Sequence, residues 1–141
     1  MKPPKDSCRG YISSRPFAGF WVPQHIQNIV IRNYCNNNNL HYLLSSAEYS
    51  IKDSYIVLKD LVSESKIIDG IVFYSLHQLP SEQSYRNELL KEILLNQCVI
   101  YFCVEDKVVK REEDLKSINT ILNVHRVMSE SEPISFNNIS S

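Results

Sequence analysis

Short apolar runs alternate along the chain with segments in which apolar residues recur every three or four positions. Runs of about four to eight apolar residues are typical of buried strands, and the wider spacing is typical of amphipathic helices. The order β-α-β-α-β-α-β-α predicts a three-layer α/β domain, with a mostly parallel four-stranded sheet and helices on both faces. The predicted strands are residues 9–14, 40–45, 68–74 and 99–104. The last two are the most apolar, so we expect them at the centre of the sheet.

The first predicted helix begins near Pro23, which suits a first helical turn, and ends at the asparagine run 36–39. Asparagine tolerates the left-handed backbone that terminates helices. The apolar stripe that predicts this helix comprises Val22, Ile26, Ile29, Val30 and Tyr34.

Caps and apolar spacing predict three further helices. The second follows Asp53 or Ser54 as its N-cap. The third begins after Pro80, with Ser81 as its cap, and the fourth spans about 112–127.

Length and charge narrow the class of protein. A chain of 141 residues suits one domain, which we expect over residues 1–127, with a flexible tail over 128–141 where apolar anchors are few. Lys and Arg total 15 against 16 Asp and Glu, so no excess of positive charge favours nucleic acid as a partner. Neither a signal peptide nor a membrane-length apolar run occurs, so we expect a cytoplasmic protein without a membrane partner.

Cysteine, histidine and glycine spacing argues against metals and cofactors. The four cysteines form no CxxC pair and the four histidines are scattered singly, so we expect buried free thiols and no metal site. The three glycines form neither a phosphate loop nor a dinucleotide fingerprint. We therefore predict no cofactor.

Polar residues follow each predicted strand. In open α/β sheets, ligands bind beyond the carboxyl ends of the strands, so these residues define a candidate site. Arg15 would bind an anionic group, and glutamine side chains would orient hydroxyls. The predicted substrate-binding residues are Ser13, Ser14, Arg15, Gln24, Tyr74, Ser75 and Gln78. The predicted catalytic residues, acting as general bases, are Glu48, Glu105 and His77.

Each of these residues has a structural alternative. Serines at strand ends form turns or cap helices, and glutamates are more often solvated surface groups. Tyr74 suits a core position with its hydroxyl at the rim equally well. The aromatic residues Phe17, Phe20 and Trp21 fit either a contact patch or a loop folded into the core.

Several short motifs occur in a known family: Gly10-Tyr11, Gln27-Asn28 with Ile31, Asp69-Gly70-Ile71-Val72, and Leu76 to Leu79. Over about residues 9–105 they resemble the catalytic domain of serine recombinases (resolvases), which implies that family's fold. The family's first strand ends Tyr-x-Arg-x-Ser, with the Ser as nucleophile, whereas here Ser13 takes the Arg position and Arg15 the Ser position. Residues 77–81 also lack the arginines that follow the family's third strand. Because phosphodiester transfer needs cationic groups on its developing charge, we expect no recombinase activity.

Longer phrases carry a second resemblance: Arg9 to Arg15, Pro23 to Asn28, Ile31 to Cys35, Glu48-Tyr49, and Gly70 to Pro80. They resemble the sporadic carbohydrate cluster proteins, a small family encoded in bacterial gene clusters for exopolysaccharide or lipopolysaccharide biosynthesis. The resemblance implies that pathway without assigning a reaction. Together with the polar strand edge, it predicts an accessory protein that binds or modifies an activated or acidic sugar, with a sugar phosphate or nucleotide sugar as the partner. The alternative is a non-catalytic, homo-oligomeric scaffold for the biosynthetic enzymes, since recombinase-like domains self-associate.

Overall fold

A computed structural model describes residues 5–126, and the tail predicted for 128–141 lies outside them. The predicted alternation of strands and helices is confirmed within this range. The elements are β1 (Ser7–Ser13), α1 (Gln24–Asn37), β2 (His41–Glu48), α2 (Ile56–Glu64), β3 (Gly70–Phe73), α3 (Gln83–Leu95), β4 (Val99–Phe102), β5 (Lys107–Val109) and α4 (115–126), with 3₁₀ turns at Leu76–Gln78 and Glu112–Asp114.

The sheet has five strands in the order β2-β1-β3-β4-β5. β1 to β4 are parallel, and β5 pairs antiparallel with β4. The prediction of four strands missed β5, because Lys107-Val108-Val109 is too short to form an apolar run. The chain reverses before it through Asp106, whose φ is +52°. The two strands predicted to be central, now β3 and β4, both lie inside the sheet.

Helices cover both faces of the sheet, as predicted, but unequally. α1 packs alone on one face, where Ile31 and Cys35 meet Cys8, Ile12 and Val72. The larger core lies on the other face, where α2, α3 and α4 pack. Three aromatic rings lie at the centre of that core. The centroid of the Phe73 ring is 5.3 Å from that of Tyr11 and 5.2 Å from that of Phe102.

The predicted orientation of α1 is wrong. Its fully buried residues are Gln27, Ile31 and Cys35, whereas Ile26 and Ile29 from the predicted stripe are 39% and 51% exposed. The helix is therefore rotated so that a glutamine faces the sheet. The hydrogen bonds of Gln27, described below, explain why a polar residue occupies this buried position.

The cysteines are unbridged, and Cys8, Cys35 and Cys98 are buried as predicted, whereas Cys103 is half-buried. Burial raises the pKa of the Cys8, Cys98 and Cys103 thiols to about 12. No group of three or more His, Cys, Asp and Glu side chains within residues 5–126 is arranged to hold a metal ion. None of the helices in that range is long and apolar enough to cross a membrane.

Candidate functional site

Glu48, at the end of β2, is 2% exposed and accepts five hydrogen bonds. Two donors are N–H groups in the first turn of α2, so this carboxylate replaces the predicted N-caps Asp53 and Ser54. The donors are the Tyr11 hydroxyl at 2.9 Å, the N–H groups of Tyr49 and Leu58 at 3.1 Å each, the Val57 N–H at 3.2 Å, and the Ser54 hydroxyl at 3.3 Å. Burial, followed by the adjacent carboxylate, raises the pKa of Tyr11. These contacts give Glu48 a structural role.

Arg15 holds the loop between β2 and α2. Its Nη1 donates to the carbonyl oxygens of Ser54 at 2.7 Å and Ile51 at 3.2 Å. Its Cζ lies 4.7 Å from the centroid of the Tyr55 ring. The guanidinium therefore contacts backbone and an aromatic face at the opposite end of the strand edge from His77.

Gln27 is the centre of a buried amide network that joins the ends of β1 and β3. Its Nε2 donates to the carbonyls of Ser13 at 2.7 Å and Val22 at 2.8 Å. Its Oε1 accepts from the Ser13 N–H at 3.1 Å and from Gln78 Nε2 at 2.9 Å. Gln78 Nε2 also donates to the Ser13 hydroxyl at 3.1 Å. Because Ser13 and Gln78 are 2% and 3% exposed, both predicted ligand contacts lie inside the protein.

The sequence signal for Gln27 is its spacing from Ile31 and Cys35, which places it in a buried stripe at four-residue intervals.

The predicted site residue Ser14 is half-buried, and its carbonyl accepts from the Trp21 indole N–H at 2.9 Å. Gln24 begins α1 and is also half-buried.

Ser75 and Glu105 join the ends of β3 and β4. The Ser75 hydroxyl donates to Glu105 Oε2 at 2.7 Å and accepts from the His77 N–H at 3.2 Å. The Leu76 N–H donates to Glu105 Oε1 at 3.0 Å. Glu105 is half-buried and accepts only these two hydrogen bonds from the described residues. Its remaining lone pairs are available to a ligand.

A cavity of about 380 Å³ opens beside Ser75 and Glu105, and we call it the aromatic cavity. Most of its wall is apolar, and its polar side chains come from the ends of β3 and β4 and from α4. Its aromatic side chains are those of Phe17, Phe20, Trp21 and Tyr74, and its polar ones are those of Ser75, His77, Glu105 and His125. The structure thus brings together four of the predicted site residues, Tyr74, Ser75, His77 and Glu105.

A tight hairpin presents the aromatic residues. Phe17 and Phe20 form a two-hydrogen-bond bridge at 2.9 Å and 3.0 Å. Ala18 and Gly19 between them have φ values of +53° and +78°. Positive φ at both central residues is typical of the type I′ turn, which is favoured in two-residue hairpins. The Phe17 ring packs edge-on against Tyr74 at 5.9 Å. Phe20 and Trp21 are 70% and 63% exposed, so the predicted alternatives both apply in part: Phe17 packs inward, and the other two face solvent.

His77 pairs with His125 on α4, with 4.3 Å between the ring centroids. Burial, and then the nearby His125, lower the pKa of His77, while Glu105 acts in the opposite direction. His77 is therefore a neutral imidazole at neutral pH, able to accept a proton. His125 lies in the predicted fourth helix, but its approach to His77 depends on how α4 packs, which no local pattern in the sequence shows.

The fold resembles that of resolvase, or serine recombinase, catalytic domains. A resolvase family site-specific recombinase from Streptococcus pneumoniae is similar with a TM-score of 0.60 and 7% identity, over 94% of this chain and 99% of that one. The N-terminal catalytic domain of TP901-1 integrase is similar with a TM-score of 0.58 and 15% identity, over 89% of this chain and 96% of that one. At these identities the likeness shows the fold alone.

No protein-family model and no curated protein match the chain. The resemblance to the sporadic carbohydrate cluster proteins therefore stays a prediction from the sequence motifs.

Proposed function

We propose that this protein is an accessory protein of bacterial exopolysaccharide or lipopolysaccharide biosynthesis that binds or modifies an activated or acidic sugar. The observation that carries the proposal is the aromatic cavity at the ends of β3 and β4, with Glu105 fixed in its wall. The pathway comes from the resemblance of the sequence motifs. The cytoplasmic location expected from the sequence is part of the same proposal.

The chemistry of the cavity suits a sugar ring. Aromatic faces pack against the apolar C–H face of such a ring, and Phe17, Phe20 and Trp21 supply them. A carboxylate accepts from hydroxyl groups, and Glu105 has lone pairs left for this. The combination of an apolar wall with a few placed polar groups is typical of small-molecule sites.

If the ligand is modified, His77 and Glu105 are the candidate bases. His77 is neutral at neutral pH, so its ring nitrogen can take a proton from a ligand hydroxyl. Glu48, the third predicted base, is excluded from this role by its burial and its five internal donors.

The proposal includes no recombinase activity and no nucleic-acid partner. Ser13, which lies in the segment matching the recombinase nucleophile motif, is 2% exposed and bonded to Gln78. Arg15 donates to carbonyls of its own chain. Neither residue is placed for phosphodiester chemistry.

Calorimetry with a panel of nucleotide sugars and sugar phosphates tests this function. We expect at least one to bind the full chain and to bind Phe20→Ala at least tenfold more weakly. The matched control is Leu95→Ala, since Leu95 is an apolar residue 80% exposed on α3 and outside the cavity. A blank across the panel, or equal affinity for the two variants, would overturn the proposal.

The second candidate is the non-catalytic oligomeric scaffold, and the exposure of Phe20 and Trp21 favours it. Large exposed aromatic side chains are enriched at protein interfaces. Light scattering after size exclusion, together with pull-downs of biosynthetic enzymes, tests it. A monomer that captures none of these enzymes contradicts the scaffold.

A further inference from the structure

A second cavity, of about 520 Å³, lies beside the aromatic cavity, and we call it the polar cavity. The two cavities share Ala18, His77 and His125 in their walls. The rest of the polar cavity is formed by residues 79–83, by Arg86 on α3, and by Leu122, Asn123 and Arg126 on α4. The two cavities therefore adjoin at the His77–His125 pair.

Arg86 gives the polar cavity a buried positive charge. It is 3% exposed, and the described part of the chain provides no carboxylate within ion-pair distance of it. Its Nη1 donates to the carbonyls of Pro80 at 3.1 Å and Ser81 at 3.2 Å, and its Nε and Nη2 donate to Asn119 Oδ1 at 3.1 Å and 2.7 Å. Every acceptor is neutral, so the hydrogen bonds do not balance the charge of the guanidinium as an ion pair would.

One Arg86 donor remains. A guanidinium has five N–H groups, and the four contacts above leave one Nη2–H without an acceptor among the described residues. Burial lowers the pKa of Arg86, and the nearby Glu82 opposes this, which is the behaviour of a cation that lacks a close counter-charge.

The other charged groups of the polar cavity add to this imbalance. Arg126 lines it and is exposed. Among residues 5–126, Glu82 is the one carboxylate of the lining, and both Glu82 oxygens accept N–H groups at the start of α3, from Ser84 at 3.1 Å and Tyr85 at 3.0 Å. This N-cap role also corrects the prediction that Ser81 caps the helix. The cavity thus has two guanidinium groups and two imidazoles facing a carboxylate already engaged by backbone.

We infer that the polar cavity is an anion subsite that holds a phosphate group of the ligand, next to the aromatic cavity that takes its sugar ring. Arginine is suited to phosphate because its planar fork of donors matches phosphate oxygens. The identification of the ligand as a sugar phosphate rests on the proposed function, whereas the anion subsite stands on the charges of Arg86 and Arg126.

The experiment titrates inorganic phosphate into the full chain by calorimetry at constant ionic strength. We expect saturable binding that Arg126→Gln weakens at least fivefold, because this change removes a positive charge at the exposed rim. The control Arg111→Gln removes an exposed arginine outside the cavity, and we expect unchanged phosphate binding. Arg126 was chosen over Arg86 because Arg86 also ties Pro80 to Asn119, so that its loss would disturb packing.

Phe20→Ala separates the subsite from the proposed function. We expect it to bind inorganic phosphate as tightly as the unmodified protein while losing affinity for sugar phosphates. Absent phosphate binding, or equal weakening by Arg126→Gln and Arg111→Gln, overturns the anion subsite. A third outcome is that phosphate binds in a way that depends on Arg126, but no sugar phosphate binds more tightly than phosphate itself. That outcome supports the anion subsite and overturns the sugar function.

Discussion

The two ends of the strand edge carry the same kinds of residue and use them differently. At the β1–β2 end, Glu48 accepts five hydrogen bonds from its own chain and is 2% exposed. At the β3–β4 end, Glu105 accepts two and faces a cavity. A polar residue after a strand is thus a ligand candidate only when its own fold leaves donors or acceptors unused. The number of hydrogen bonds that each carboxylate already accepts separates a structural residue from a ligand candidate, whereas the residue type alone does not.

The largest expected effect is at Glu48. Glu48→Ala leaves the Tyr11 hydroxyl and the first N–H groups of α2 buried without an acceptor. We expect the free energy of unfolding to fall by about 3–5 kcal/mol, since each buried orphan donor costs about 1–3 kcal/mol. Urea denaturation followed by circular dichroism measures this. A loss below about 1 kcal/mol would remove the structural role of Glu48.

Glu105, the carboxylate at the β3–β4 end, should matter more for ligand binding than for stability. Glu105→Gln keeps the size of the side chain and loses the charge that accepts from Ser75 and Leu76. We expect a stability loss of only about 1–2 kcal/mol, together with at least tenfold weaker binding of the sugar ligand. Denaturation and calorimetry on the same variant separate the two readouts. Unchanged affinity would place the ligand away from Glu105.

The aromatic hairpin beside the cavity contains a non-glycine residue in the left-handed backbone region. Ala18 has a φ of +53°, and the left-handed region costs a residue with a Cβ roughly 1–2 kcal/mol. We expect Ala18→Gly to stabilise the protein by about 0.5–1 kcal/mol, because glycine offsets part of the gain through its greater freedom when unfolded. Chemical denaturation detects the change. A net loss of stability would mean that the alanine methyl packs usefully against the cavity wall.

The smallest effect is the pH dependence contributed by His77. Its pKa is lower in the folded protein than its usual value of 6.5, so the unfolded chain binds the proton first as the pH falls. Stability should therefore decline as the pH drops through about 6.5 and stop declining below the folded pKa. We expect His77→Gln to reduce this decline, with His41→Gln as an exposed control, in denaturation curves at pH 8 and pH 5.5. Equal slopes in both variants would show that His77 does not titrate in this range.

The sequence predicted the parallel core of the sheet because apolar runs and helical spacing are properties of single segments. It could not predict β5, whose three residues form a strand only by pairing with β4. It also misplaced the face of α1, because a glutamine appears solvent-facing until its partners are known. Gln27 finds those partners in Ser13, Val22 and Gln78, at distances along the chain that no local pattern records.

The candidate site shows the same limit. The strand-end rule selected four residues that line the aromatic cavity: Tyr74, Ser75, His77 and Glu105. The same rule selected residues whose side chains satisfy one another or the backbone: Ser13, Arg15, Glu48 and Gln78. The strand-end rule did not select His125 and Arg126, because they reach the cavities through the packing of α4.

Gln27 also determines how freely the loop that bears the aromatic hairpin can be varied. Its amide binds the carbonyls of Ser13 and Val22, which are the two ends of the segment bearing the aromatic hairpin. Because one side chain fixes both ends, we expect residues 16–21 to tolerate changes in sequence and length, whereas Arg15 has to stay to hold the loop between β2 and α2. Doubling the length of such a loop costs only about 0.6 kcal/mol. Replacing the aromatic side chains of this loop while keeping Gln27 should therefore change the cavity wall and leave the sheet in place.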